Sequence, residues 1–317
     1  MMTGDLTGWD GQKFQLPELL AWTLEYTAGV PCDSFWLKSV YDPAMEEHLR
    51  RAVGFTAVEA GETVFQGRVD EVRVEWGKDG QVAEISGRGM AALLLDNEAV
   101  AGEYQSASLA DILKDHVEPY GIQVGELGHL PAVPGFSVAS GSSEWKVLYD
   151  FACYYGGVTP RFDRQGRLVV APWNDDVKRR LDDAVPVVEA AWREKRYGVF
   201  SRVLVRDKTR KTMEQVDAPS FLAEGGRCCR VVTMPGRSSY KAMRYSGQFQ
   251  LEKSAAERRR MTVTVAEPFW AWPGELAELA HSGLGLTGTW RVLEARIELD
   301  EDGARTQLVM GEPGAVV

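Results

Sequence analysis

The sequence predicts an α+β protein that is mostly β, built as two similar β-barrel domains with a small helix-hairpin module between them. Three observations predict it. First, one stretch occurs twice: Arg68 to Gly80 reads RVDEVRVEWGKDG and Arg291 to Gly303 reads RVLEARIELDEDG. Arg68, Val69, Glu71, Arg73, Glu75, Asp79 and Gly80 recur, at one constant offset, as Arg291, Val292, Glu294, Arg296, Glu298, Asp302 and Gly303. Second, each copy alternates apolar and charged residues, turns at Asp-Gly and returns on a second alternating run, through Ala83 and Ile85 or Thr306 and Leu308. Period two about a Gly-containing turn is the mark of a β-hairpin. Third, the chain between the copies changes to a helical period. A ring-forming scaffold has a use for such duplication, because two similar domains per chain double the symmetry of an oligomer.

The first domain is expected over residues 1–96. Phe35-Trp36-Leu37, Val53 to Thr56, Thr63 to Phe65 and the hairpin supply its strands. Pro43 to Arg51 predicts a short helix with Pro near its first position, and Met90 to Leu95 a closing helical turn. The α+β middle domain is expected over 97–184. Ser108 caps a helix whose apolar positions are Leu109, Ile112, Leu113 and Val117. A loop follows from Gly125 to Ser143. Trp145, Leu148, Tyr149 and Ala152 form the stripe of a second helix, and Arg161 to Ala171 reads as a hairpin. The second barrel is expected over 185–317, interrupted by a basic insertion at about 207–256. Its strands include Val199 to Arg206, Met261 to Val265 and the second copy of the hairpin. Ser254-x-x-Glu257 matches a capping box and predicts a helix beginning there.

The 317 residues suffice for two or three domains. No apolar run approaches a membrane span, and MMTGDLTGWDGQKF lacks the plan of a signal peptide, so a cytosolic product is expected. Cys32, Cys153, Cys228 and Cys229 form neither a disulfide framework nor a metal-binding spacing. The net charge of −10 is uneven. Arg206 to Arg260 carries thirteen Lys and Arg against six Asp and Glu. That segment is either a solvated insertion or a docking surface for an acidic neighbour. Acidic surplus elsewhere predicts an acidic inner wall, with Lys208, Arg210, Lys211, Arg237 and Lys241 facing away from it.

Candidate chemistry is sparse. Gly283-x-Gly285-x-x-Gly288 matches a dinucleotide fingerprint but precedes a strand instead of opening a helix after one. His48, His116, His129 and His281 stand at no metal-ligand spacing. No G-x-S-x-G, H-E-x-x-H or Walker-type loop occurs. No catalytic, cofactor or metal residue is assigned. Phe269-Trp270-Ala271-Trp272-Pro273 is an aromatic cluster that either packs a turn or, through Trp270 and Trp272, anchors an interface. Arg73, Glu75, Arg296 and Glu298 lie on the charged faces of their hairpins. They form cross-strand ion pairs, or they repeat one inter-subunit contact.

Val64 to Gly89, with Gly67-Arg68-Val69 and Ile85-Ser86-Gly87-Arg88, resembles the early hairpin of phage tail baseplate hub proteins, found in contractile tails and related prophage particles. The segments Ser108 to Gly121 and Glu144 to Val170 are similar to that family's middle module, and Pro273-Gly274-Glu275-Leu276 to the entry of its last barrel. One departure is at Tyr197-Gly198, where the family pattern would place Asn after the Tyr. The resemblance implies two tube-type β-barrel domains per chain and a homotrimer forming a pseudo-sixfold ring between a sixfold tail tube and a threefold spike. It implies no enzymatic activity and no cofactor. The partners it implies are other copies of the chain, the tail tube protein, the spike, other baseplate proteins and the tape measure protein. DNA would be only passing cargo, and the site a tail particle assembled in the bacterial cytoplasm. The rival functions are a tail-associated cell-wall hydrolase and a carbohydrate-binding module for host attachment.

Overall fold

The computed structural model describes residues 2–28, 32–78, 80–175, 178–207, 209–234 and 238–315. Asp79, Lys208 and Arg237 lie outside them. Seven strands come first: β1 (Thr3–Gly8), β2 (Lys13–Gln15), β3 (Leu19–Thr27), β4 (Ser34–Val40), β5 (Ala52–Glu59), β6 (Glu62–Gly77) and β7 (Gly80–Gly89), with α1 (Glu46–Arg51) before β5. The middle holds α2 (Ala92–Leu95), β8 (Gly102–Ala107), α3 (Leu109–His116), β9 (Val124–Leu127), β10 (Val133–Val138), α4 (Glu144–Tyr149), β11 (Arg161–Phe162) and β12 (Leu168–Val170). Then follow β13 (Lys178–Asp182), β14 (Val187–Glu194), β15 (Arg202–Asp207), β16 (Thr212–Asp217), α5 (Pro219–Ala223), β17 (Cys229–Thr233), α6 (Tyr240–Ala256), β18 (Arg259–Val265), β19 (Leu276–His281), β20 (Leu286–Asp300) and β21 (Gly303–Gly311).

The protein is mostly β, and thirteen of the strands form one sheet. Its path runs β14-β18-β21-β20-β3-β4-β7-β6-β5-β1-β2, with β19 on the remaining edge of β20 and β13 beyond it. No closed barrel forms among the described strands. Two separate barrels were expected, but the two copies of the hairpin share this one sheet. The reason is the length of β20: Leu286 to Arg291 pairs with β19, and Glu294 to Leu299 runs on to pair with β3.

Two apolar cores result. One lies beneath the large sheet and takes Leu24, Phe35, Phe55, Phe65 and Ile85 together with Val263, Val292, Ile297 and Leu308. Its rings interlock, with Phe35 stacked on Phe55 at 4.2 Å between centroids. The other joins Ile112, Phe136, Leu148, Phe151 and Leu168 of the middle segment to Val203, Val205, Met243 and Leu251. The strand expected at Val199 to Arg206 therefore forms, as β15, but in its own sheet with β16 and β17.

The helix expected to begin at Ser254 lies upstream of that residue. Ser239 caps it, accepting from the Ala242 amide, and the Ser254 hydroxyl donates back to the Leu251 carbonyl near its end. The inward face of α6 includes Ala242, Ser246, Gly247, Ser254 and Ala256 beside Met243, Phe249 and Leu251, so no apolar stripe shows in the sequence. A β-carbon on Gly247 would stand 2.5 Å from Val216, a close approach that requires glycine. The capping box at Ser108 forms with Asp111. The segment read as a loop, Gly125 to Ser143, contains β10. Gly283 to Gly288 passes through a single turn into β20 and opens no helix.

Candidate subunit interface

The two hairpins are alike residue for residue. In β6–β7, Arg68 lies opposite Arg88, Arg73 opposite Glu84 and Gly77 opposite Gly80. In β20–β21, Arg291 lies opposite Gly311, Arg296 opposite Gln307 and Asp300 opposite Gly303, at the same offset throughout. Both ladders slip by one residue at the same place, Asp70 in one and Leu293 in the other. Such a bulge adds local twist and re-aims the strand beyond it.

The correspondence extends to the neighbouring strands. Ile85 lies opposite Leu37, and Leu37 opposite Trp22. Leu308 lies opposite Val263, and Val263 opposite Ala190. Trp22 thus matches Ala190, and two residues further on Leu24 matches Trp192. A second pair of bulges falls on matching residues, Leu20 of β3 and Val188 of β14. The order β5-β6-β7-β4-β3 is repeated as β19-β20-β21-β18-β14.

One relationship is made only once. In the seam, Glu294 lies opposite Thr27, Arg296 opposite Glu25, Ile297 opposite Leu24 and Leu299 opposite Trp22. Its counterpart would join the Glu71 to Trp76 part of β6 to β14. Neither edge has a strand partner among the described residues. Exposure follows the difference. Leu24 is 1% exposed and Ile297 0%, whereas Trp192, the match of Leu24, is 55% exposed. Trp76, which matches the half-buried Leu299, is 68% exposed. Long free edges carrying bare aromatic rings template pairing with another chain.

The four charges singled out in the sequence sit on the sheet face away from the core. Arg73 pairs with Glu75 at 2.6 Å. Arg296 pairs with Glu298 at 2.8 Å and reaches Glu25 across the seam at 2.9 Å. Glu25 also accepts from the Ser34 hydroxyl at 2.9 Å. Lys38, Glu84 and Arg88 share this face, so it mixes the two signs. Trp270 and Trp272 are half-buried. Trp270 stacks on Trp22 at 6.1 Å and on Trp272 at 6.3 Å, and Arg164 lies over the Trp272 ring at 4.5 Å. Glu25, Trp192 and Val188 escaped the sequence reading. The run that holds the last two, Val187 to Glu194, reads VVEAAWRE and alternates too poorly to mark a strand.

At the end of β3, the Asp33 carboxylate accepts from the Thr27 amide at 2.9 Å. Burial against the middle segment outweighs that bond and pushes its pKa up to about 7. Within the middle segment, buried His116 and Glu144 meet at 2.6 Å, and Glu144 accepts from the Tyr120 hydroxyl at 2.9 Å. The histidine is thus a packed structural group. Among the described residues no cluster of three His, Cys, Asp or Glu is placed to hold a metal ion. No described helix is long and apolar enough to cross a membrane, which says nothing of strands.

No protein-family model and no curated protein matches the chain. Solved structures do. A tail protein from Neisseria meningitidis MC58 superposes with a TM-score of 0.78 at 18% identity, covering 99% of this chain and 98% of that one. A 43 kDa tail protein of prophage MuSo2 from Shewanella oneidensis gives 0.77 at 17% identity, with 100% of both chains covered. An E. coli component of the type VI secretion system, described as structurally similar to the T4 bacteriophage tail proteins gp27 and gp5, gives 0.59 at 11% identity over 93% of this chain and 73% of its own. At these identities the likeness is one of fold, shared with these tail and secretion-system proteins.

Proposed function

We propose that the chain is a structural hub of a phage-type tail. Three copies form a pseudo-sixfold ring that joins a sixfold tail tube to a threefold spike, in a tail particle assembled in the bacterial cytoplasm. The single observation that carries this is the seam and its missing counterpart. Within one chain, β20 pairs with β3. Repeating the same relationship between copies sets β6 of one against β14 of the next, with Val74 opposite Trp192, Glu75 opposite Ala191 and Trp76 opposite Ala190. Each chain then contributes two strand sets of the same order to a closed barrel with no free edge at these strands. The two repeats in each of three chains give six similar units about a threefold axis.

The charges suit that contact in part: Glu71 would face Lys195, whereas Arg193 would face Arg73, a like-charge pair relieved only by Glu71 and Glu75 on either side of Arg73. In this ring Arg73 and Glu75 stand at the contact between copies, and Arg296 and Glu298 at the equivalent contact inside each copy. The two repeats, as separate tube-type units at 1–96 and 185–317, belong to the same proposal, as do the tube, spike, tape measure and other baseplate proteins as partners. The wall would carry balanced charge and fixed ion pairs, which gives passing DNA few unpaired cations to bind. Function rests on shape and no reaction is assigned.

The test is a double variant, Glu75→Cys with Ala191→Cys, oxidised at high protein concentration and compared with the unsubstituted chain, whose own cysteines supply the background. Covalent trimers by denaturing mass measurement are expected. Products linked through other cysteines, or closed assemblies of two or four copies, overturn the ring.

A further inference from the structure

The segment between β14 and β18 carries most of the basic surplus and packs on the middle module, leaving a cleft between them. The cleft encloses about 580 Å³. One wall is Pro131 and Ala132 with the start of β10 to Gly135, and Tyr155 behind them; the other is the first turns of α6, with Lys241, Ala242 and Tyr245, beside Arg210. Three features set it apart. No carboxylate is among its described lining residues, in a chain with 46 Asp and Glu. Arg210 and Lys241 are exposed and form no ion pair among the described residues. Asp207, close to Arg210 in the chain, is fully buried, and its carboxylate accepts from the amides of Thr209, Arg210 and Ser238 at 2.8 to 3.0 Å. Those bonds, with the charge of Arg210 nearby, hold its pKa below the ordinary range against the cost of burial.

We propose that this cleft is a docking site for an acidic, proline-containing segment of another protein, bound in extended form. The floor suits it chemically: Pro131, Pro134 and the ring of Tyr245 offer flat apolar surface for a proline or aliphatic side chain, as aromatic-lined grooves do for extended Pro-rich segments. The two exposed cations at the rim suit flanking carboxylates, and they would steer such a segment in and fix its direction more than hold it. Lys241 already lies 5.6 Å from the centre of the Tyr245 ring, joining the apolar floor to the charged rim. A nucleic acid would need a longer run of cations than two on a chain of charge −10. The proposal does not depend on the ring: the cleft lies on the second core, away from both free edges.

The experiment uses the full chain and a short fluorescein-labelled peptide in which glutamates flank a proline-leucine-proline centre. Its control carries lysine for each glutamate. Fluorescence anisotropy is expected to show binding of the acidic peptide only, weakening at least about tenfold as salt rises from about 50 to about 500 mM. In the double variant Arg210→Glu, Lys241→Glu, binding is expected to fall by at least about tenfold, while Arg210→Lys, Lys241→Arg retains it. Unchanged circular dichroism shows that each variant is folded. Equal binding of the lysine peptide, no binding of the acidic one, or no loss in the charge-reversed variant overturns the proposal. A drop in oligomer mass on charge reversal also overturns it, because the occupant would then be a second copy of this chain.

Discussion

Arg296 reaches across the seam to Glu25, 2.9 Å from Nη1 to Oε1, whereas its counterpart Arg73 has Glu75 as its ion-pair partner among the described residues. The same side chain, at the same register position, thus meets a second strand in one repeat and open space in the other. Both partners of the Arg296 pair are about half exposed, which limits what it contributes. Exposed pairs are worth about 0–1 kcal/mol. The fully buried Ile297 beside it is another matter. Glu25→Gln is expected to change unfolding free energy by less than about 1 kcal/mol, and Ile297→Ala to cost about 2–5 kcal/mol. Urea denaturation compares the two. A larger loss for Glu25→Gln would mean that charge, and not apolar burial, holds the seam.

Gly87 fixes the first hairpin. A β-carbon there would stand 1.9 Å from the Arg68 carbonyl oxygen and 2.7 Å from the Phe35 ring. Backbone cannot yield as a side-chain tip can, so the ladder itself would have to part. Gly87→Ala is expected to destabilise by about 1–3 kcal/mol or more. The matching position in the second hairpin is already Met310, which is fully buried. Met310→Leu is therefore expected to cost less than about 1.5 kcal/mol. Thermal melts of the two variants check this, and a Gly87→Ala protein as stable as the parent would contradict the packing described.

The repeat was legible in the sequence because alternation and identity survive in the hairpins. The start of the Ser108 helix was legible too, since Ser108 caps it locally. The seam was not. Nothing in Glu294 to Leu299 says which strand lies beside it, because a strand's edge is set by main-chain atoms common to all residues. Trp192 was missed for a related reason. Its run, VVEAAWRE, has no strict alternation to mark a face, and no strand among the described residues lies along that edge of β14. Helix α6 was missed because its inward face is built largely of Ala, Ser and Gly.

Asp33 makes stability depend on pH. Its carboxyl ionises near 7 in the folded chain, against an ordinary value near 4 when unfolded. Between those values the folded state binds more protons than the unfolded one, so stability falls as pH rises from about 4 to about 7 and is level above. Part of the residue reaches solvent, which brings the loss to about 1–3 kcal/mol. Asp33→Asn keeps an oxygen for the Thr27 amide and has nothing to ionise. The stability of this variant relative to the parent is expected to increase between pH 5 and pH 8, measured by urea denaturation at each. A constant difference would mean that Asp33 ionises normally.

The exposed ring of Trp192 separates assembly from folding. It lies on an edge strand at 55% exposure, so its loss should leave the isolated chain intact. Surface substitutions of this kind stay within about 0.5 kcal/mol. Its counterpart in the other repeat, Leu24, is wholly buried, and there a charge would be placed in the core at severe cost. Trp192→Asp is therefore expected to keep the parent's melting temperature as a monomer and to abolish the trimer, while Leu24→Asp fails to fold. Light scattering across a concentration series reads the first effect and circular dichroism the second. If Trp192→Asp still forms trimers, β14 is not the edge that meets β6. The proposed ring would then need a contact other than the repeat of the seam.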